Sequence, residues 1–194
     1  MIPALRYNLM CVNDDKDEEI KEYKGEQIDD NMMHQTQKLI SHLELSERTE
    51  YNPMQFCFAF KEFDGTPTNT SEQKDAQEFL NLIFDRLETG LKDTSRKHLI
   101  NSIFGGKFCR QMVCTECGKV KNRMEDYLNL SLPIKGFKSV EESLEDMISG
   151  GIINDYNCDG CKRTVDLKSR TMIASTPNIL IVHLQRICFN FDTF

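Results

Sequence analysis

The chain has 194 residues, 39% of them hydrophobic and 28% charged, with a net charge of −7. These are globular values, and the length suits one full core or two small ones. The acidic balance argues against nucleic-acid binding, which depends on clustered Lys and Arg, and favours a basic partner. No apolar run approaches the length needed to cross a bilayer, and Met1 to Met10 lack the apolar core and cleavage site of a signal peptide. No membrane association is therefore expected. Eight cysteines in such a chain point to a reducing compartment, cytoplasm and/or nucleus, and to metal rather than disulfides.

Residues 1–12 predict a short helix, with Ile2, Leu5, Leu9 and Val12 near one face and Pro3 tolerated in the first turn. Residues 13–30 are rich in acids and read as a solvated loop. Met32, Met33, Leu39, Ile40 and Leu43 keep helical spacing over 31–46, flanked by His34 and His42, which read as surface or half-buried. Pro53 is expected to end any helix there. Phe56, Phe58, Phe60 and Phe63 are dense enough to read as core packing, with Cys57 a small buried hydrophobe among them. A turn-rich loop over 64–72 leads to Thr70-x-x-Gln73, which has the form of a capping box. The helix that follows is the clearest in the chain, with Ala76, Phe79, Leu80, Ile83, Leu87 and Leu91 on one stripe. Asp75 and Glu78 fall at its start, where carboxylates complement the helix dipole.

From Gly105 the period changes to two. Val120, Met124, Leu128, Leu130 and Leu132 alternate as a strand with one buried face, ended by Pro133. Ser139-x-x-Glu142 predicts a second capping box opening a helix that Gly150 and Gly151 stop. Val165, Leu167, Ser169, Thr171 and Ile173 alternate again. The run ILIVHLQRI, from Ile179 to Ile187, carries apolar residues on both faces and reads as a buried central strand. Helices first and ribbons after make an α+β protein.

The chemistry-bearing feature is a matched pair of C-x-x-C turns, Cys114/Cys117 and Cys158/Cys161, separated by forty residues. Four thiolates so presented are the set a structural zinc ion takes. Gly118 and Gly160 supply the tight turns, and Lys119, Lys162 and Arg163 help offset the charge of a tetrathiolate. The alternative is reduced or disulfide-paired cysteines without metal.

Three stretches together resemble the ubiquitin-specific proteases, papain-like cysteine deubiquitinases. Gln73 to Phe79 is similar to a "Q-x-D-A-x-E-F" helix start. The two C-x-x-C pairs flank Leu128, Leu130, Leu132, Pro133 and Ile134, which resemble an "L-x-L-x-L-P-I" strand. Pro177 to Arg186 resembles "P-x-x-L-x-x-x-L-x-R-F", with Ile187 where Phe is usual and Phe189 and Phe191 close by. The family's "G-N-T-C-Y" nucleophile string and its histidine box do not occur. A nucleophilic thiolate needs an imidazole beside it; Cys11 has neither a glycine turn nor a helix start after it, Cys57 and Cys188 lie in aromatic segments and read as buried, Cys109 sits on a hairpin arm, and no catalytic residue is assigned.

The resemblance implies a partial papain-like domain: a helical thumb part over 1–104, zinc-pinned fingers over 105–175, and the first palm strands over 176–194. It implies ubiquitin and ubiquitinated proteins as partners, with Asp75 and Glu78 facing ubiquitin's basic tail, and cysteine-type removal of ubiquitin from conjugates as the family's reaction. The chain itself is expected to bind ubiquitin without cleaving. A catalytically dead ubiquitin-binding scaffold and an unrelated zinc-ribbon interaction module are the competing readings.

Overall fold

Helix α1 (Pro3–Met10) starts on the proline that its first turn tolerates. It opens a computed structural model that describes residues 2–12, 20–23 and 26–187. The chain divides into two compact units, Met1–Ile100 and Asn101–Phe194. The net negative charge falls on the first, where acids outnumber bases; in the second they nearly balance.

In the first unit, Leu9 and Val12 are buried with Met33 and Ile40 of α2 (Met32–Leu45). The end of α1 is held polar as well as apolar. Gln37 Nε2 donates to Leu9 O at 2.9 Å and Val12 O at 2.8 Å, satisfying carbonyls that a helix end leaves open. Part of the acidic stretch expected to be loop is an antiparallel pair, β1 (Ile20–Tyr23) with β2 (Glu26–Asp29). Ile20, Tyr23 and Ile28 are the β-favouring residues there, and the surrounding charge hid them. The Asn31 side chain caps α2 by accepting from the His34 N–H.

Pro53 opens a helix instead of closing one. It is the N-cap of α3 (Met54–Ala59), a position where its missing N–H costs nothing. The aromatic run then splits. Phe60 is buried and packs on Phe56 and on Phe79, 5.0 Å between the latter ring centres. Phe63 is 84% exposed, against the expectation that it joins the core.

Helix α4 (Ala76–Leu91) begins at Asp75, not at Thr70. Asn69 organises the preceding turn by accepting from Ser71 N–H and donating to Glu72, so the Thr70-x-x-Gln73 spacing never closes as a box. Burial along α4 grows toward its C-terminal half: Leu82, Phe84, Leu87 and Leu91 are buried, while Ala76 is exposed and Phe79 partly so. The first turn thus stays open to solvent. The boundary between the units falls within α5 (Leu99–Phe104).

The second unit is built on a four-stranded antiparallel sheet, in the order β4 (Val120–Tyr127), β3 (Gly106–Cys114), β7 (Arg163–Ser175), β6 (Gly151–Cys158). The two ribbons foreseen in the sequence are the β3–β4 and β6–β7 hairpins, and β3 pairing with β7 joins them. Gly106 is required where it stands, since a Cβ there would lie 2.3 Å from the ring of Tyr127, which stacks on Phe108.

The strand expected to run from Val120 to Leu132 breaks at Leu128-Asn129. The second half becomes β5 (Leu130–Pro133), which pairs in parallel with β8 (Val182–Gln185). Leu130 and Leu132 are buried, whereas Val120 and Met124 on β4 are exposed, so one alternating pattern served two sheets. The final run is shorter than expected: β8 is half-buried and, among the described residues, pairs only with β5. Cys188, Phe189 and Phe191 lie outside the described residues. Helix α6 (Val140–Ser149) is capped by Ser139, which accepts from the Glu142 N–H. Glu142 reaches back to the N–H of Lys138, one residue beyond the expected partner. Gly150, at φ +72°, ends it.

The architecture is α+β, with helices in the first unit and the four-cysteine ribbons in the second. Among the described residues no helix is long and apolar enough to cross a membrane.

Candidate functional site

Two strand ends carry the cysteines. Cys114 is the last residue of β3, and the turn after it closes with the Gly118 N–H donating to Cys114 O at 3.1 Å. Gly118 sits at φ +69°, a left-handed conformation that glycine adopts at no steric cost. Cys158 ends β6 in the same way, with the Lys162 N–H donating to Cys158 O at 2.7 Å. Here the left-handed position is Lys162 itself, at φ +56°. Gly160 faces the other turn closely: a Cβ there would stand 3.1 Å from Cys117 Sγ.

The two turns meet. Cys114 and Cys161 sulfurs are 3.7 Å apart, as are those of Cys117 and Cys158. All four lie within 4.8 Å of one another. Sulfurs about 2.3 Å from a common zinc at tetrahedral angles would be about 3.8 Å apart, so the donor set fits a four-coordinate thiophilic ion. None of the four is joined in a disulfide. Cys114 and Cys158 are buried on Val165 and Leu167, with Met112 and Tyr156 beside them.

The electrostatics are those of a site that wants a cation. Backbone N–H groups of Cys117 and Glu116 pull the Cys114 thiol down to about 6. Hydrogen bonding from Cys117, burial and the neighbouring Cys114 push Cys161 up to about 12. Four close sulfurs cannot all ionise without a positive centre among them.

Two ties across the turns were missed in the sequence. Both the N–H and the hydroxyl of Thr115 donate to Asp166 O, at 3.2 and 2.8 Å. Arg163 forms an ion pair with Glu116. The available signal was the opposite charge on Glu116, inside the first C-x-x-C, and Arg163, just after the second. Arg163, expected to offset thiolate charge, is engaged by that carboxylate.

The second group of candidates lies at the open start of α4. Asp75 Oδ1 accepts the N–H groups of Gln77 at 2.8 Å and Glu78 at 3.0 Å. Glu78 lies in the first turn, and both side chains belong to exposed residues. Just before them Lys74 pairs with Glu62 at 3.0 Å. Of the remaining cysteines, Cys11 is exposed, while Cys57 and Cys109 are half-buried; burial raises the Cys57 thiol, the opposite of activation. His42 is occupied by Glu50 O and the Tyr51 ring.

Comparison with known proteins gives this geometry a family. The profile described as "Ubiquitin carboxyl-terminal hydrolase" matches residues 1–193. The chain is 31% identical over its whole length to ubiquitin carboxyl-terminal hydrolase 24 of Mus musculus and of Homo sapiens, covering 7% of each. Over 91% of its length it is 29% identical to ubiquitin carboxyl-terminal hydrolase 9Y of Homo sapiens, again 7% of that protein. It therefore spans only a small fraction of these relatives. With the profile matched almost end to end and the cysteine-tipped ribbons in place, the chain belongs to the ubiquitin carboxyl-terminal hydrolase family.

Proposed function

We propose that this chain is the ubiquitin-gripping part of a cysteine deubiquitinase and that it binds ubiquitin without cleaving after ubiquitin's last glycine. The family match across residues 1–193 carries this reading. The solvent-open start of α4 supports it. Asp75 and Glu78 there are the acids that the family resemblance assigns to ubiquitin's basic tail, and charge-assisted contacts to arginine are the strong kind. Cys114, Cys117, Cys158 and Cys161 would hold zinc. Bound by four thiolates, zinc has no open position for a water and supplies folding free energy to the ribbon tip. Free cysteines in this number suit a reducing compartment, cytoplasm or nucleus.

The test titrates ubiquitin into the purified chain and, in parallel, exposes the chain to a ubiquitin probe with a thiol-reactive C-terminus. Saturable binding that weakens with added salt is expected, with no cysteine labelled. Labelling of any cysteine overturns the non-cleaving reading, and absence of binding overturns the ubiquitin reading itself.

A further inference from the structure

The turn between Phe60 and Thr68 is held far more firmly than a surface connection needs. Glu62 N–H donates to Thr66 O at 2.8 Å, Gly65 N–H to Glu62 O at 3.1 Å, and Thr68 N–H to Phe60 O at 3.1 Å. Gly65 takes φ +82° to make the reversal. Asp64 Oδ1 accepts both the N–H and the hydroxyl of Thr66, at 2.9 and 2.7 Å. From α4, Arg86 reaches the base of the turn, donating to Lys61 O at 3.0 Å and Glu62 O at 2.9 Å. Lys74 pairs with Glu62 from the segment that leads into α4.

What this scaffold displays is Phe63, 84% exposed. Single apolar side chains on a surface are ordinary. This one differs because so many bonds fix the backbone that presents it. An aromatic on a rigid turn has already paid its ordering cost, and such residues make the strongest anchors in interfaces. Glu62 and Asp64 flank it in sequence, the neighbouring Lys61 is paired with Asp30, Arg86 is spent on the turn's carbonyls, and Glu72 and Asp64 act electrostatically on Lys74. Lys74 is itself taken by Glu62, so the surroundings remain acidic.

We propose that the Phe63 turn is a second contact for the basic partner received at the start of α4. Phe63 enters an apolar recess on that partner, and Asp64 and Glu72, the acids not taken by Lys74, face the positive charge around the recess. The partner is ubiquitin, and the proposal rests on the reading that this chain binds it. Arg86 acts as a positioning residue, holding the turn at a fixed distance from Asp75 and Glu78.

The experiment compares ubiquitin affinity for the wild-type chain, Phe63→Ala, Phe63→Trp and Glu78→Lys, with a thermal midpoint for each. Phe63 buries almost nothing, so its variants should melt with the wild type. Phe63→Ala should weaken binding about tenfold, and Phe63→Trp should stay within about twofold of the wild type. Phe63→Ala binding as tightly as wild type overturns the proposal, as does Phe63→Trp binding as weakly as Phe63→Ala. If Glu78→Lys alone weakens binding, the turn contact fails while the ubiquitin reading stands. If the wild type does not bind, both fail.

Discussion

Asp75 serves its helix before it serves any partner. One carboxylate oxygen accepts two backbone N–H groups of the first turn, which is the work of an N-cap. Two substitutions separate this from a role for its charge. Asp75→Ala removes the cap and should cost about 1 kcal/mol of stability in urea unfolding. Asp75→Asn keeps an accepting oxygen and should leave stability nearly unchanged while lowering ubiquitin affinity. An Asn variant that binds as well as wild type would leave Asp75 a cap and nothing more. At this scale the sequence was half legible. It placed both acids at the helix start, but Thr70-x-x-Gln73 carried the same local signal as Asp75. Which oxygen closes on the first turn was decided by Asn69, which turns the chain beforehand. Phe60 and Phe63 differ for a similar reason. Both sit in one aromatic run, but Phe60 caps α3 and packs inward on Phe56 and Phe79, while Phe63 falls in the turn that reverses at Gly65.

Among elements, the turn carrying Phe63 makes its own acid-sensitive prediction. The Thr68 hydroxyl and the Lys74 ammonium both hold the Glu62 carboxyl below its ordinary value of 4.5. A carboxyl depressed by folding contributes stability above its unfolded value and loses that contribution as pH falls through its folded value. Glu62→Gln should therefore melt below the wild type at neutral pH, with the gap closing once the pH drops under about 4.5. The effect is small because both partners are partly exposed. A gap of the same size at neutral and acid pH would show that Glu62 acts through shape alone. The ribbons were the more legible elements. Paired C-x-x-C turns and the change to period two marked both hairpins, since turn chemistry and alternation are local. The break at Leu128-Asn129 was not marked. Leu130 and Leu132 continue the alternation of β4, and their transfer to β8 depends on a strand about fifty residues later in the chain.

The whole molecule joins a helical unit that carries the negative charge to a ribbon unit whose tip gathers four sulfurs. The family was readable because its motifs are contiguous strings at the start of α4, at the two cysteine turns and along β8. The division into two compact units was not, because it is a property of contacts. It has a thermodynamic consequence. If a structural ion at the tip contributes its binding energy as folding energy, removing it should loosen the second unit and spare the first. Hydrogen exchange with and without a strong chelator measures this directly. Amides of β3, β4, β6 and β7 should exchange faster after chelation, most of all near Cys114 and Cys158, while α2 and α4 keep their protection. Loss should be graded, because Val165 and Leu167 and the Thr115–Asp166 bonds still hold the ribbons together. Cys117→Ser should reproduce the pattern without chelator and bind less than one metal ion per chain. Equal loss of protection in α2, α4 and the ribbons would mean that the two units fold as one. No change on chelation, in a protein carrying no metal as purified, would mean that the sulfur cluster is held by its ribbons and not by an ion.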